Sequence, residues 1–120
     1  MTGSTPTRTG SAPALTAEQH AEITAALADV RRANETDLRG ARDKLRALTD
    51  EGALTDASMR EIVAGAEYML EDAASILALV DAAEARLATG EYGTCSSCGA
   101  AIPWERLLLR PYRSTCVDCS

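Results

Sequence analysis

The sequence predicts an all-α fold: a long antiparallel helical hairpin (a coiled coil) followed by a C-terminal four-cysteine finger. Two long segments carry apolar residues at three- and four-residue steps and are separated by Gly52. Hydrophobic residues make up 46% of the chain, but aromatics only 3%, with no Phe. Ala, Leu, Ile and Val therefore supply the apolar surface, which suits helices packed closely together. All four cysteines fall in the final segment as two Cys-x-x-Cys pairs.

The 120-residue length sets a single domain as the prior. Residues 1–15 are polar, broken by Pro6 and Pro13 and free of apolar periodicity, so they read as a disordered tail. They lack the apolar run of a secretory signal. The first helix is expected to begin at Thr16, because Thr16 with Gln19 forms a capping-box pattern and Glu18 suits the positive end of the helix dipole. Its stripe is Ile23, Leu27, Val30, Ala41, Leu45 and Leu48, with Leu38 sharing the seam where Asn34 and Asp37 interrupt it. It should end near Asp50, with Gly52 as the stop.

The second helix is expected from about Asp56, with Thr55 as N-cap and Leu54 stapled onto Met59. Its seam reads Met59, Ile62, Ala66, Met69, Ala73, Ile76, Val80, Ala83 and Leu87, and Gly90 supplies the stop. The hairpin thus spans 16–90 with its tip near 50–56. At about 1.5 Å per residue, helices of roughly 35 residues would make a thin rod about 50 Å long. Folding at Gly52–Ala53 sets Arg46 level with Glu61, Arg39 with Glu67 and Arg32 with Asp72, pairs that choose register more than they stabilise.

The finger covers 91–120. Cys95 and Cys98 are followed, after seventeen residues, by Cys116 and Cys119. Four thiolates close a tetrahedral zinc shell, and this two-pair spacing is that of a four-cysteine zinc site. One structural Zn²⁺ is therefore expected, held by Cys95, Cys98, Cys116 and Cys119. Disulfides and a rubredoxin-like iron site are the lesser alternatives. Gly99 should take positive φ in the first turn. Arg106, Arg110 and Arg113 lie between the pairs, where each either offsets the excess thiolate charge or stands as a solvated surface side chain. Trp104–Leu109 should form a short helix between Pro103 and Pro111, with Ile102, Trp104, Leu107 and Leu108 packing the finger onto the hairpin. A closed shell offers no site for catalysis, and no nucleophile–base pair is evident, so the chain is not expected to be an enzyme. Lone His20 reads as a solvated side chain.

The run Glu91-Tyr92-Gly93-Thr94-Cys95-Ser96-Ser97-Cys98-Gly99, then Ala101-Ile102-Pro103-Trp104-Glu105-Arg106-Leu107, Pro111 and Cys116-Val117-Asp118-Cys119, resembles the TraR/DksA zinc-finger family. The match is close over about thirty residues and extends back through Leu87-Ala88-Thr89-Gly90. With no secretory signal the chain is expected in the cytoplasm, and the resemblance implies a bacterial transcription regulator that binds RNA polymerase, inserting its hairpin into the secondary channel so that tip acids approach the active centre. For some members it also implies the alarmone ppGpp as co-effector. The tip residues in question here are Asp50, Glu51, Asp56 and Ala57, and ordinary turn and cap chemistry is the competing reading of the three acids. They stand in Asp50-Glu51-Gly52-Ala53-Leu54-Thr55-Asp56-Ala57, where characterised regulators carry Asp-x-x-Asp-x-Ala. That altered tip motivates a second expectation, an adaptor of the same fold with a different protein partner. A net charge of −6 weighs against direct DNA binding, no apolar run is long enough to span a membrane, and a monomer is expected. With the last ligand at Cys119, no further helix is expected beyond the finger.

Overall fold

The computed structural model describes residues 15–50 and 57–119. The expected tail, apart from Leu15, lies outside the described residues. So do Glu51, Asp56, the Thr55 cap and the Leu54 staple at the hairpin tip. Three helices are described: α1 over Ala17–Asp50, α2 over Ala57–Thr89 and α3 over Trp104–Leu109. No strand occurs among the described residues, only an isolated antiparallel bridge between Thr94 and Ala101.

The start of α1 follows from local chemistry. The Gln19 amide donates to Thr16 Oγ1 at 3.0 Å, and the Thr16 amide donates to Gln19 Oε1 at 3.0 Å. This reciprocal box satisfies donors that the first helical turn leaves without partners. The end of α2 is equally local. Gly90 has φ +83°, and the Glu91 amide donates to the Arg86 carbonyl at 2.9 Å, closing the last turn.

The chain forms two compact units, Met1–Ala28 with Leu79–Ser120, and Asp29–Ala78. Each pairs a length of α1 with a length of α2 running the opposite way. In the first unit Ile23, Leu27 and Val80 are fully buried, and Ala83, Tyr92, Ile102 and Leu107 are buried as well. In the second, the buried residues are Ala41, Leu48, Ala66 and Ala73. Leu27, Asn34, Ala41 and Leu48 stand one heptad apart on α1, as do Ala66, Ala73 and Val80 on α2. Alanine at these positions lets the helix backbones approach closely, but leaves little side-chain volume to bury.

The seam of α2 differs from the one expected. Ile62 is 41% exposed and Met69 52% exposed, whereas Val63 and Leu70 are half-buried. Both choices keep three- and four-residue steps through the fixed points Ala66 and Ala73, so spacing alone does not choose the side on which the seam closes. The interruption on α1 is resolved by rotation. Asp37 faces solvent, Leu38 is half-buried, and half-buried Asn34 donates its Nδ2 to the Val30 carbonyl at 2.9 Å.

The arginines on α1 also pair differently. Arg32 pairs with Asp29, and Arg46 with Asp43 at 3.4 Å, both within α1. A neighbour three residues away is already on the same helical face, so less side-chain freedom is lost than in reaching another helix.

Leu27→Ala is expected to cost about 2–5 kcal/mol, as truncation of a fully buried leucine does. Met69→Ala should cost under about 1 kcal/mol, as at exposed positions. Denaturant unfolding followed by helical circular dichroism measures both; equal losses would contradict the seam described here.

Candidate metal centre

Two tight turns build the centre. In the first, the Cys95 amide donates to the Ala100 carbonyl at 2.7 Å and the Gly99 amide to the Cys95 carbonyl at 2.9 Å. Gly99 has φ +80° and Gly93 φ +91°, conformations that L side chains rarely adopt. The Ile102 amide donates to the Gly93 carbonyl at 2.8 Å, holding the two arms of the turn together. In the second turn the Cys119 amide donates to the Cys116 carbonyl at 3.1 Å, and the Ser96 amide reaches the Ser114 carbonyl at 2.8 Å, tying one turn to the other.

As a result the sulfurs of Cys95, Cys98, Cys116 and Cys119 all lie within 4.8 Å of one another. Cys95 and Cys116 are buried, Cys98 and Cys119 exposed, and all four are free thiols rather than disulfides. Cys98 Sγ and Cys116 Sγ are 3.7 Å apart. A tetrahedron of sulfurs about 2.3 Å from zinc has edges of about 3.8 Å, so the donor set fits this ion in both chemistry and spacing.

The electrostatics prepare Cys95 for the thiolate state. The Cys116 amide lowers its pKa first, burial opposes this, and the Cys98 and Ser97 amides help bring it to about 6. The Ser97 amide lies 3.4 Å from Cys95 Sγ. The Ala100 amide lowers Cys98, but the Cys95 and Cys116 thiols outweigh it and the net direction is up. Cys119 is pushed up to about 12, chiefly by hydrogen bonding with the Cys116 thiol and then with Cys98 and Cys95. Four thiolates this close repel one another, and a divalent cation is what allows all of them to ionise.

The supporting shell was partly legible in the sequence. α3 occupies the expected residues, with Pro103 as its N-cap. Ile102 and Leu107 are buried and Trp104 half-buried, but Leu108 is 37% exposed and contributes less than expected, because a short helix can turn only one side inward. A hollow of about 240 Å³ separates Leu15 and Gln19 from Ile102, Trp104 and Leu107. Arg106 and Arg113 are half-buried and Arg110 is exposed. Arg86, Arg106 and Arg113 each bury an Nε with no protein acceptor, and Arg86 Nη2 donates to the Arg113 carbonyl at 3.5 Å.

Tyr92 is the residue whose role the sequence did not reveal. It is 4% exposed, and its hydroxyl donates to the Pro111 carbonyl at 2.6 Å. Burial raises its pKa to about 12, against the lowering influence of Arg86. With the folded pKa raised, its contribution to stability is complete below pH 10 and is lost as pH climbs toward 12. A carbonyl acceptor nineteen residues away leaves no signature in composition or spacing. His20 is exposed on α1 and takes no part in the cysteine cluster.

The model of the prokaryotic dksA/traR C4-type zinc finger matches residues 90–119. No curated protein sequence gives a significant match. Among solved structures, that of transcription factor DksA2 from Pseudomonas aeruginosa is similar at 32% identity and a TM-score of 0.73, covering 86% of this chain and 81% of that one. The chain belongs to the DksA/TraR family. Its cofactor is accordingly one structural zinc ion, and its fold is the family's helical hairpin with a C4 finger. The DksA2 match extends well beyond the finger, so the helices as well as the metal turns follow the family pattern.

Cys95→Ser is expected to lose bound zinc while keeping most of the helical signal; zinc retained at one ion per chain by native mass spectrometry would remove Cys95 from the ligand set. Tyr92→Phe strands the Pro111 carbonyl and should cost about 1–3 kcal/mol in thermal or denaturant unfolding of the zinc-loaded protein.

Proposed function

We propose that this chain is a transcription factor that binds bacterial RNA polymerase by inserting its hairpin end into the secondary channel. In this reading Cys95, Cys98, Cys116 and Cys119 ligate the zinc ion, and Asp50, Glu51, Asp56 and Ala57 form the partner-binding tip. The observation that carries it is the similarity to a transcription factor over 86% of the chain, helices included. Asp50 closes α1 and Ala57 opens α2, and both are exposed.

The acidic balance, −6 overall, supports a protein surface rather than the nucleic-acid backbone as the binding partner. No described helix is long and apolar enough to cross a membrane, and the proposed partner places the protein in the cytoplasm. The proposed role requires binding and no catalytic group of its own. The second reading, an adaptor of the same fold for another protein, draws on the segment Asp50–Ala57, which lacks the Asp-x-x-Asp-x-Ala pattern.

Pull-down with core polymerase and a promoter transcription assay, run with and without ppGpp, test the proposal. The wild-type chain should bind and change transcript yield. Replacing Asp50, Glu51 and Asp56 together by Ala should abolish that change while zinc content and helical signal persist. Absence of binding at micromolar polymerase would discard the polymerase reading, and an unaltered transcriptional effect in the triple variant would discard the tip.

A further inference from the structure

One face of the Asp29–Ala78 unit carries an open groove of about 740 Å³ running between α1 and α2. Gly40 and Gly65 line it with Ala41 and Ala66. Both glycines lie inside helices, where glycine costs about 1 kcal/mol relative to alanine. Their own fold does not call for them. A Cβ added at either meets nothing within 4 Å, and neither has a positive φ. Glycine at such positions makes room for another chain to approach closely.

The groove is also apolar where it should be wet. Ile62 and Met69, one heptad apart on α2, stand 41% and 52% exposed on it. On the α1 side, Asp37 and Lys44 line it, also one heptad apart and of opposite sign. Both are exposed, and neither has an ion-pair partner among the described residues.

These pairs share a centre. Asp37 and Lys44 flank Gly40–Ala41, and Ile62 and Met69 flank Gly65–Ala66. A surface arranged in this way matches itself when turned end over end. We propose that the groove is the docking site for a second copy of this chain, packed antiparallel about a two-fold axis through its centre. α1 then lies on α1 and α2 on α2. Asp37 meets Lys44 of the second copy, and Lys44 meets its Asp37. Ile62 lies against Met69 of the second copy, and the glycines let the helices close over both. An isologous interface repeats each contact twice, so a modest pair contributes double. A helix from an unrelated protein would not need charges that reverse sign about the centre. The inference departs from the monomer expected from sequence, and it does not depend on the polymerase reading.

Sedimentation equilibrium of the full zinc-loaded chain over roughly 1–200 μM tests it. The wild type should approach twice the monomer mass within that range. Asp37→Lys and Lys44→Asp each place like charges together at two symmetric contacts and should weaken association about tenfold. The double variant D37K/K44D restores opposite charges across the axis and should associate within about twofold of wild type. Met69→Glu, at an exposed position, should remain monomeric with unchanged helical signal and zinc content. A wild type that stays monomeric throughout would overturn the proposal. So would a double variant as weak as the single ones.

Discussion

The C-terminal part of this chain depends on bringing four sulfurs to one point from both ends of a segment too short to hold them by burial alone. Tyr92, Ile102 and Leu107 are the large side chains buried there beside the two inner cysteines, and a module of this size rarely buries enough surface to fold unaided. The backbone bonds Cys95 to Ala100, Ile102 to Gly93 and Ser96 to Ser114 fix the path of the turns. They also aim amides at sulfur, which favours the charged state that the metal requires. Zinc binding and folding are therefore one free-energy event, and the finger's hydrogen bonds work through the metal as much as through the chain.

The hairpin has the opposite character. Its second unit has alanines at three of its four buried positions, Ala41, Ala66 and Ala73. Close approach replaces bulk: backbones come together because nothing large stands between them, and each contact is worth little. The first unit instead gathers Ile23, Leu27 and Val80 with the finger's Ile102 and Leu107. The large apolar side chains are thus concentrated where the metal module is, and the seam elsewhere is defined by shape. This contrast explains why a chain that is 46% hydrophobic still exposes Ile62, Tyr68 and Met69. Two helices can bury only one stripe each, and the apolar residues outnumber the places on it.

Features set by local chemistry were legible in the sequence. The Thr16–Gln19 box, the stop at Gly90, the positive φ of Gly99, the bounds of α3 and the grouping of the cysteines all follow from residues a few positions apart, whose preferred geometry is known in advance. Features set by comparing two nearly equal arrangements were not. Ile62 or Val63, and Met69 or Leu70, satisfy the same heptad spacing, and the choice belongs to the facing helix. Arg32 and Arg46 had acidic neighbours at both long and short range, and the short range won because it orders less of the side chain. Tyr92 and Pro111 meet only after the finger has closed, so their bond records the fold without forecasting it.

Departure from the family pattern falls where the fold exerts least control. In the finger, the clustered cysteines answer to the metal, Gly93 and Gly99 to a left-handed backbone, and Tyr92, Ile102 and Leu107 to burial, and a change at these positions costs structure. Asp50 and Ala57 are exposed ends of helices whose buried stripe lies elsewhere, so substitutions at such positions scarcely touch stability. The chain keeps the family's metal turns but spells Asp50–Ala57 without the Asp-x-x-Asp-x-Ala pattern, so it departs between two helix ends that bury no side chain.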